Sequence, residues 1–134
     1  MAWIYRNLNP LGRHTGDCVI RAISYATGRP WDKVFWDITN EAFERAEMPS
    51  WNSVWWSYLE KQGFRRHIIP DTCPHCYSVE DFCEDHPEGT YILYIPDSAQ
   101  GAGHVLAVRN GNFYDTWNSG SEVPLCYWEG ENGI

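Results

Sequence analysis

Positive charge is scarce in this chain, and long apolar runs are absent. Ten Lys and Arg stand against eighteen Asp and Glu in 134 residues, a net charge of −8. Such a surface has little with which to neutralise a phosphate backbone, so nucleic acid is not an expected partner. No apolar stretch runs beyond a handful of residues, which argues against a membrane span and a membrane partner. The opening residues 1–7 carry no apolar signal core, so no export is expected. Internal repeats and low-complexity tracts are also missing. Aromatic residues, by contrast, are plentiful. Eight Trp, eight Tyr and five Phe in a chain that is 43% hydrophobic exclude disorder. The length suits a single domain over 1–134 with a core of its own.

The five cysteines, Cys18, Cys73, Cys76, Cys83 and Cys126, are odd in number. Without an export signal they point to a reducing cytoplasm, where a thiol is catalytic, metal-bound or buried more often than disulfide-bonded. Their spread suggests separate tasks, with one near the start, three within a short loop and helix at 70–87, and one near the end.

Residues 7–16 are polar and hold Pro10, Gly12 and Gly16, so they read as a loop. Val19, Ala22, Ile23 and Ala26 recur at helical spacing across 18–28, with Thr15 or Asp17 placed to cap and Gly28 to terminate. A second helix is expected over 30–46, with Trp31, Val34, Phe35, Ile38 and Ala42 inward, and a third from Asn52 as cap to Gly63. A short strand at 64–69 and a cysteine-bearing loop at 70–77 follow. Ser78 and Asp81 then have capping-box spacing for a short helix that Pro87 ends. Strands are expected at 90–95, 104–109, 112–116 and 123–128, and Asn110-Gly111 between two of them is a strong hairpin signal. Helices first and antiparallel strands after make the α+β class.

A thiol in the first helical turn, in Thr15-Gly16-Asp17-Cys18, faces unpaired backbone N–H groups and the positive end of the helix dipole, which favour thiolate. Alone it also reads as a small buried hydrophobe. The hairpin adds to it. With a two-residue turn Arg109 faces Asn112 and Leu106 faces Asp115. His104 then shares a face with Leu106 and lies one diagonal step, about 7 Å, from Asp115. A carboxylate there fixes the imidazole tautomer while the other nitrogen polarises a thiol.

A helix-initiating Cys18, a strand-borne His104 preceded by Gly103, and Asp115-Thr116-Trp117 one strand later resemble the papain-like cysteine peptidase superfamily. An Asp stands where papain has Asn, as in the bacteriocin-processing branch, and residues 15–22 and 114–120 also resemble small proteins of gut bacteria and their phages. The resemblance implies a minimal papain-like domain, nucleophile helix first, packed on a C-terminal antiparallel sheet. It implies Cys18 as nucleophile, His104 as base and acid, Asp115 as orienter and Trp117 as the aromatic shield of their hydrogen bond. The family's oxyanion-hole Gln has no counterpart before Cys18; Asn9 is the candidate donor and His14 a substitute. Asn118 is the alternative third residue, although the register puts it on the opposite face.

A second cluster, Cys73-x-x-Cys76 and Cys83-x-x-His86, offers four nitrogen or sulfur ligands for a structural zinc, with His75 as an alternative ligand. The same residues also read as Cys83 packed in the core beside Phe82, His86 closing the helix, and two loop thiols. No cofactor is expected for catalysis. Trp31, Trp36, Trp51, Trp55 and Trp56 read as core and groove wall, the acidic stretch from Glu80 to Glu88 as a solvated helix face, and Cys126 as buried. The expected function is a cysteine peptidase, or a related thiol-dependent amide hydrolase or acyl transferase, acting on a peptide or isopeptide bond. The rival is a non-catalytic, acidic and aromatic-rich module that binds a cationic host protein, as a phage inhibitor does. Either is expected in a prokaryotic cytoplasm, or that of the host if phage-encoded.

Overall fold

The computed structural model describes residues 2–130. The chain runs β1 (Trp3–Tyr5), α1 (Cys18–Thr27), α2 (Trp31–Arg45), α3 (Asn52–Lys61), β2 (Arg65–Ile68), α4 (Val79–Asp85), β3 (Thr90–Ser98), β4 (Gly101–Arg109), β5 (Asn112–Asp115) and β6 (Cys126–Glu129). The strands form one sheet in the order β1-β5-β4-β3-β6-β2. This is the α+β class. The sheet is mixed rather than wholly antiparallel, because β1 joins its edge parallel to β5, with Trp3 opposite Phe113 and Tyr5 opposite Asp115. Three residues are too few for an alternation to be read. Two hydrogen bonds to one carbonyl place the strand: Trp3 Nε1 and the Arg6 N–H both donate to the Asp115 backbone oxygen, at 3.1 and 3.0 Å. No helix among the described residues is long and apolar enough to cross a membrane.

Helix α1 buries Ala22, Ile23 and Ala26 and ends at Gly28, whose φ of 74° directs its N–H onto the Ser24 carbonyl. Helix α2 buries Val34, Ile38 and Ala42, with Trp31 and Phe35 half-buried at its margin. Two caps differ from expectation. Asp17 holds the N-cap position of α1 but makes no capping bond, because its carboxylate is engaged elsewhere. Asn52 lies inside the first turn of α3, with Trp51 at the cap, and its Oδ1 accepts from Trp55 Nε1 at 3.0 Å. The capping box of α4 is present: Ser78 Oγ accepts from the Asp81 N–H and Asp81 Oδ2 from the Ser78 N–H.

Alternation along β4 divides the core. Val105 and Ala107 pack with the α1–α3 layer around Ile23, Ile38, Trp55 and Trp128. Leu106 and Val108 pack on the other side with α4, against Phe82, Cys83, Leu93 and Phe113. Cys126 is fully buried, whereas Trp36 and Trp51 are exposed.

The β4–β5 turn fixes the register that matters for the site. Asn110 and Gly111 have φ of 50° and 78°, the pair of left-handed residues of a two-residue hairpin loop, and Arg109 pairs with Asn112, Val108 with Phe113 and Ala107 with Tyr114. At Gly111 a Cβ would also stand 3.4 Å from the Cys83 carbonyl oxygen and 3.5 Å from Pro87 Cα. Gly111→Ala is expected to cost about 1–2 kcal/mol, read as a lower urea midpoint with an unchanged slope.

Candidate active site

Cys18 is the first residue of α1, and the leading N–H groups of a helix have no partner within it. His104 lies on β4 and Asp115 ends β5. By the alternation of β4, His104 belongs to the α4 side of the sheet, while α1 packs on the other side. The β4–β5 ladder stops at Ala107 and Tyr114, short of the His104 and Asp115 level. Beyond that last pair the thiol, imidazole and carboxylate meet, at the end of β5 and mid-way along β4.

His104 Nε2 lies 2.6 Å from Asp115 Oδ2, and both residues are buried, at 6% and 2% exposure. A carboxylate oxygen accepts, so Nε2 carries the proton and Nδ1 is the nitrogen left for the thiol. Asp115 is held on all sides. Oδ2 also accepts from Ser119 Oγ at 2.7 Å, and Oδ1 accepts from the Thr116 N–H at 2.8 Å, with Arg21 Nη1 3.8 Å away. The Trp117 ring lies 4.9 Å from the imidazole, centroid to centroid, tilted by 44°.

Burial alone would raise the Cys18 pKa. It is outweighed by the hydrogen bond and charge of His104, a backbone hydrogen bond from Val105 and the charge of Arg21, so the thiol falls below its ordinary value. Burial likewise opposes the charged imidazole, but hydrogen bonds and charge from Asp115 and Cys18 prevail and push His104 up to about 9. Each partner favours the other's charge, which is the condition for a thiolate–imidazolium pair.

Arg21 was not singled out from the sequence. One helical turn after Cys18, it places Nε 2.8 Å from Asp17 Oδ1 and Nη1 3.4 Å from Thr116 Oγ1, so it spans the start of α1 and the end of β5. The i, i+4 spacing of Asp17 and Arg21 was the available signal; nothing local marked Ser119. Asn9, the sequence's candidate oxyanion donor, is bound into the loop before α1. Its Nδ2 donates to Asp17 Oδ2 at 3.1 Å, and its Oδ1 accepts from the Leu11 and Arg13 N–H groups, because the loop folds back on the Asp17 carboxylate. Asn118 is exposed and accepts from the Gly120 N–H rather than meeting His104. His14 and Gln100 line the cleft beside Cys18 and His104.

No family model, curated protein or solved structure matches this chain.

The zinc candidates are placed apart in character. Cys73 and Cys76 are exposed loop thiols, while Cys83 is 1% exposed in the core. Burial raises the Cys83 thiol to about 11. His86 is stacked on Phe82 with ring centroids 3.8 Å apart, and its Nδ1 lies 2.8 Å from the Phe82 carbonyl oxygen. Among the described residues no three of His, Cys, Asp or Glu gather as metal ligands. The helical spacing does put Cys83 and His86 near one another, but that part of α4 is packed against the sheet.

Proposed function

We propose that this protein is a thiol-dependent amide hydrolase or acyl transferase of papain-like type, acting on a peptide or isopeptide bond. The observation that carries the reading is the buried 2.6 Å His104–Asp115 pair set against a helix-initiating thiol of lowered pKa. The order Cys, His, Asp and the Asp115-Thr116-Trp117 segment add support. In the reaction the Cys18 thiolate forms a bond to the carbonyl carbon and the carbonyl electrons move to oxygen. That oxyanion faces the free N–H groups at the start of α1. The C–N bond then breaks as the His104 imidazolium gives its proton to the leaving amine. His104, now neutral, takes a proton from water or from an acceptor amine, whose attack on the thioester releases Cys18.

The test is cleavage of a mixed peptide and isopeptide pool by the whole chain, followed by mass spectrometry beside Cys18→Ala. Products formed by the wild type and abolished in Cys18→Ala support the reading. Products that persist in Cys18→Ala, or no thioester or product with any substrate class, overturn it. A second reading, a protein-binding module, is favoured by the exposure of Trp36, Phe43, Met48 and Trp51. It predicts partner capture that is indifferent to Cys18→Ala.

A further inference from the structure

The face of the sheet away from α1–α3 carries a further cavity, of about 320 Å³, that shares no lining residue with the clefts at Cys18. Its walls are aromatic. Phe82 and His86 of α4 stack with centroids 3.8 Å apart, and Tyr127 of β6 stands edge-on to Phe82 at 4.8 Å and tilted to His86 at 5.5 Å. Tyr77 joins them from the loop before α4, and Ile68, Ile69 and Pro70 complete an apolar side. That side is tied to β6, because the Ile69 N–H donates to the Leu125 carbonyl at 3.0 Å.

The donors of the wall are paired. Thr72 Oγ1 donates to the His75 carbonyl, His86 Nδ1 to the Phe82 carbonyl at 2.8 Å, and the Tyr77 hydroxyl to Asp85 Oδ2 at 2.6 Å. Two acceptors are left among the described residues: Asp85 Oδ1 and, in a neutral ring, His86 Nε2. Asp85 is the sole carboxylate of the wall, and it is the last residue of α4, where negative charge opposes the helix dipole. The wider charge has the same sign. No Lys or Arg occurs between Arg66 and Arg109, whereas carboxylates recur from Asp71 to Asp97.

Aromatic faces beside a carboxylate attract a cation, and an apolar flank suits the alkyl stem that carries it. The choice of cation follows from Tyr77. A guanidinium fork takes both oxygens of a carboxylate, and here the Tyr77 hydroxyl already holds one; a compact ammonium needs only the other. We propose that this cavity receives a lysine side chain of a cationic protein partner, with the ammonium on Asp85 and the rings and the stem along Ile68, Ile69 and Pro70. The site does not depend on Cys18 being a nucleophile.

The test is an NMR titration of the isotope-labelled full chain with a blocked Gly-Lys-Gly peptide, beside the same peptide bearing Nε-acetyl-lysine or arginine. The lysine peptide is expected to shift the amides of Tyr77, Asp85, His86 and Tyr127 to saturation, and acetylation should weaken binding about tenfold. Asp85→Asn, an exposed change that keeps an acceptor for Tyr77, should weaken the lysine peptide by a similar factor, while Cys18→Ala and Glu88→Gln should not. Equal binding of the lysine and acetyl-lysine peptides, or no saturable shift at these four residues, overturns the proposal. So does a loss in Glu88→Gln as large as in Asp85→Asn, which would mark general attraction to an acidic surface. An arginine peptide that binds as tightly as the lysine peptide overturns the choice of an ammonium.

Discussion

His104→Ala turns Cys18 into an ordinary buried thiol. Burial is the largest influence on Cys18 and raises its pKa; the hydrogen bond and charge of His104 are the next two and lower it. With the imidazole gone, the two largest lowering influences are lost and the pKa moves up. The thiolate fraction at pH 7 then falls, and iodoacetamide labelling of Cys18 should fall with it. Turnover should drop further, by about 100- to 10,000-fold, because the proton donor to the leaving amine is lost as well. The pH profile separates this from a folding defect. In the wild type the reactive pair exists between the lowered Cys18 pKa and about 9, where His104 gives up its proton. Activity should rise on the acid side as Cys18 ionises and fall on the alkaline side through about 9. The stability linkage has a definite sign too. A histidine whose pKa rises from 6.5 unfolded to about 9 folded contributes stability that is complete below 6.5 and is lost as pH rises through 9. His104→Ala should remove that component of the pH dependence of urea unfolding. An unchanged labelling profile in a folded His104→Ala protein would sink the catalytic pair.

Asp115 offers the second large effect, and two substitutions separate its roles. Asp115→Ala leaves His104 Nε2, Ser119 Oγ and the Thr116 N–H without their acceptor in a buried site. Breaking a buried, hydrogen-bonded pair from one side costs about 3–5 kcal/mol, and the freed imidazole should lower turnover about 100- to 10,000-fold. Asp115→Asn keeps an oxygen acceptor but removes the charge that helps hold His104 near 9. It should therefore retain more activity than Asp115→Ala, with the alkaline limb moved to lower pH. Equal profiles for Asp115→Asn and the wild type would show that the carboxylate charge has no part in setting the imidazole.

Much of this arrangement was legible because it depends on short, regular rules. The Asn110-Gly111 turn admits one register, and side-chain alternation then brings His104 to Asp115. Apolar spacing placed α1 and α2, and the Ser78–Asp81 box started α4. Where side chains had several partners within reach, local rules did not decide between them. Asp17 could have capped α1, yet three donors from Arg21, Asn9 and Trp31 compete for it and prevail. Asn9 donates to the same carboxylate, a contact that no local rule marked. Cys83 and His86 had metal-ligand spacing, but spacing does not say which side of α4 meets the sheet. Alternation likewise grouped His104 with Asp115 without revealing that α1 approaches from the other layer and reaches them past the end of the ladder. Strand β1 left no readable period in three residues, and only its pairing to β5 defines it.

That short strand has a consequence for the chain's association. Strand β1 occupies the side of β5 that would otherwise be a free edge, and the carbonyl it clasps is that of Asp115 itself. Trimming the first six residues would uncover a row of unsatisfied backbone groups ready to recruit another molecule. It would also remove both donors to the Asp115 carbonyl. Proteolytic nicking near the start is then expected to promote self-association and to loosen the Asp115 end of β5 together.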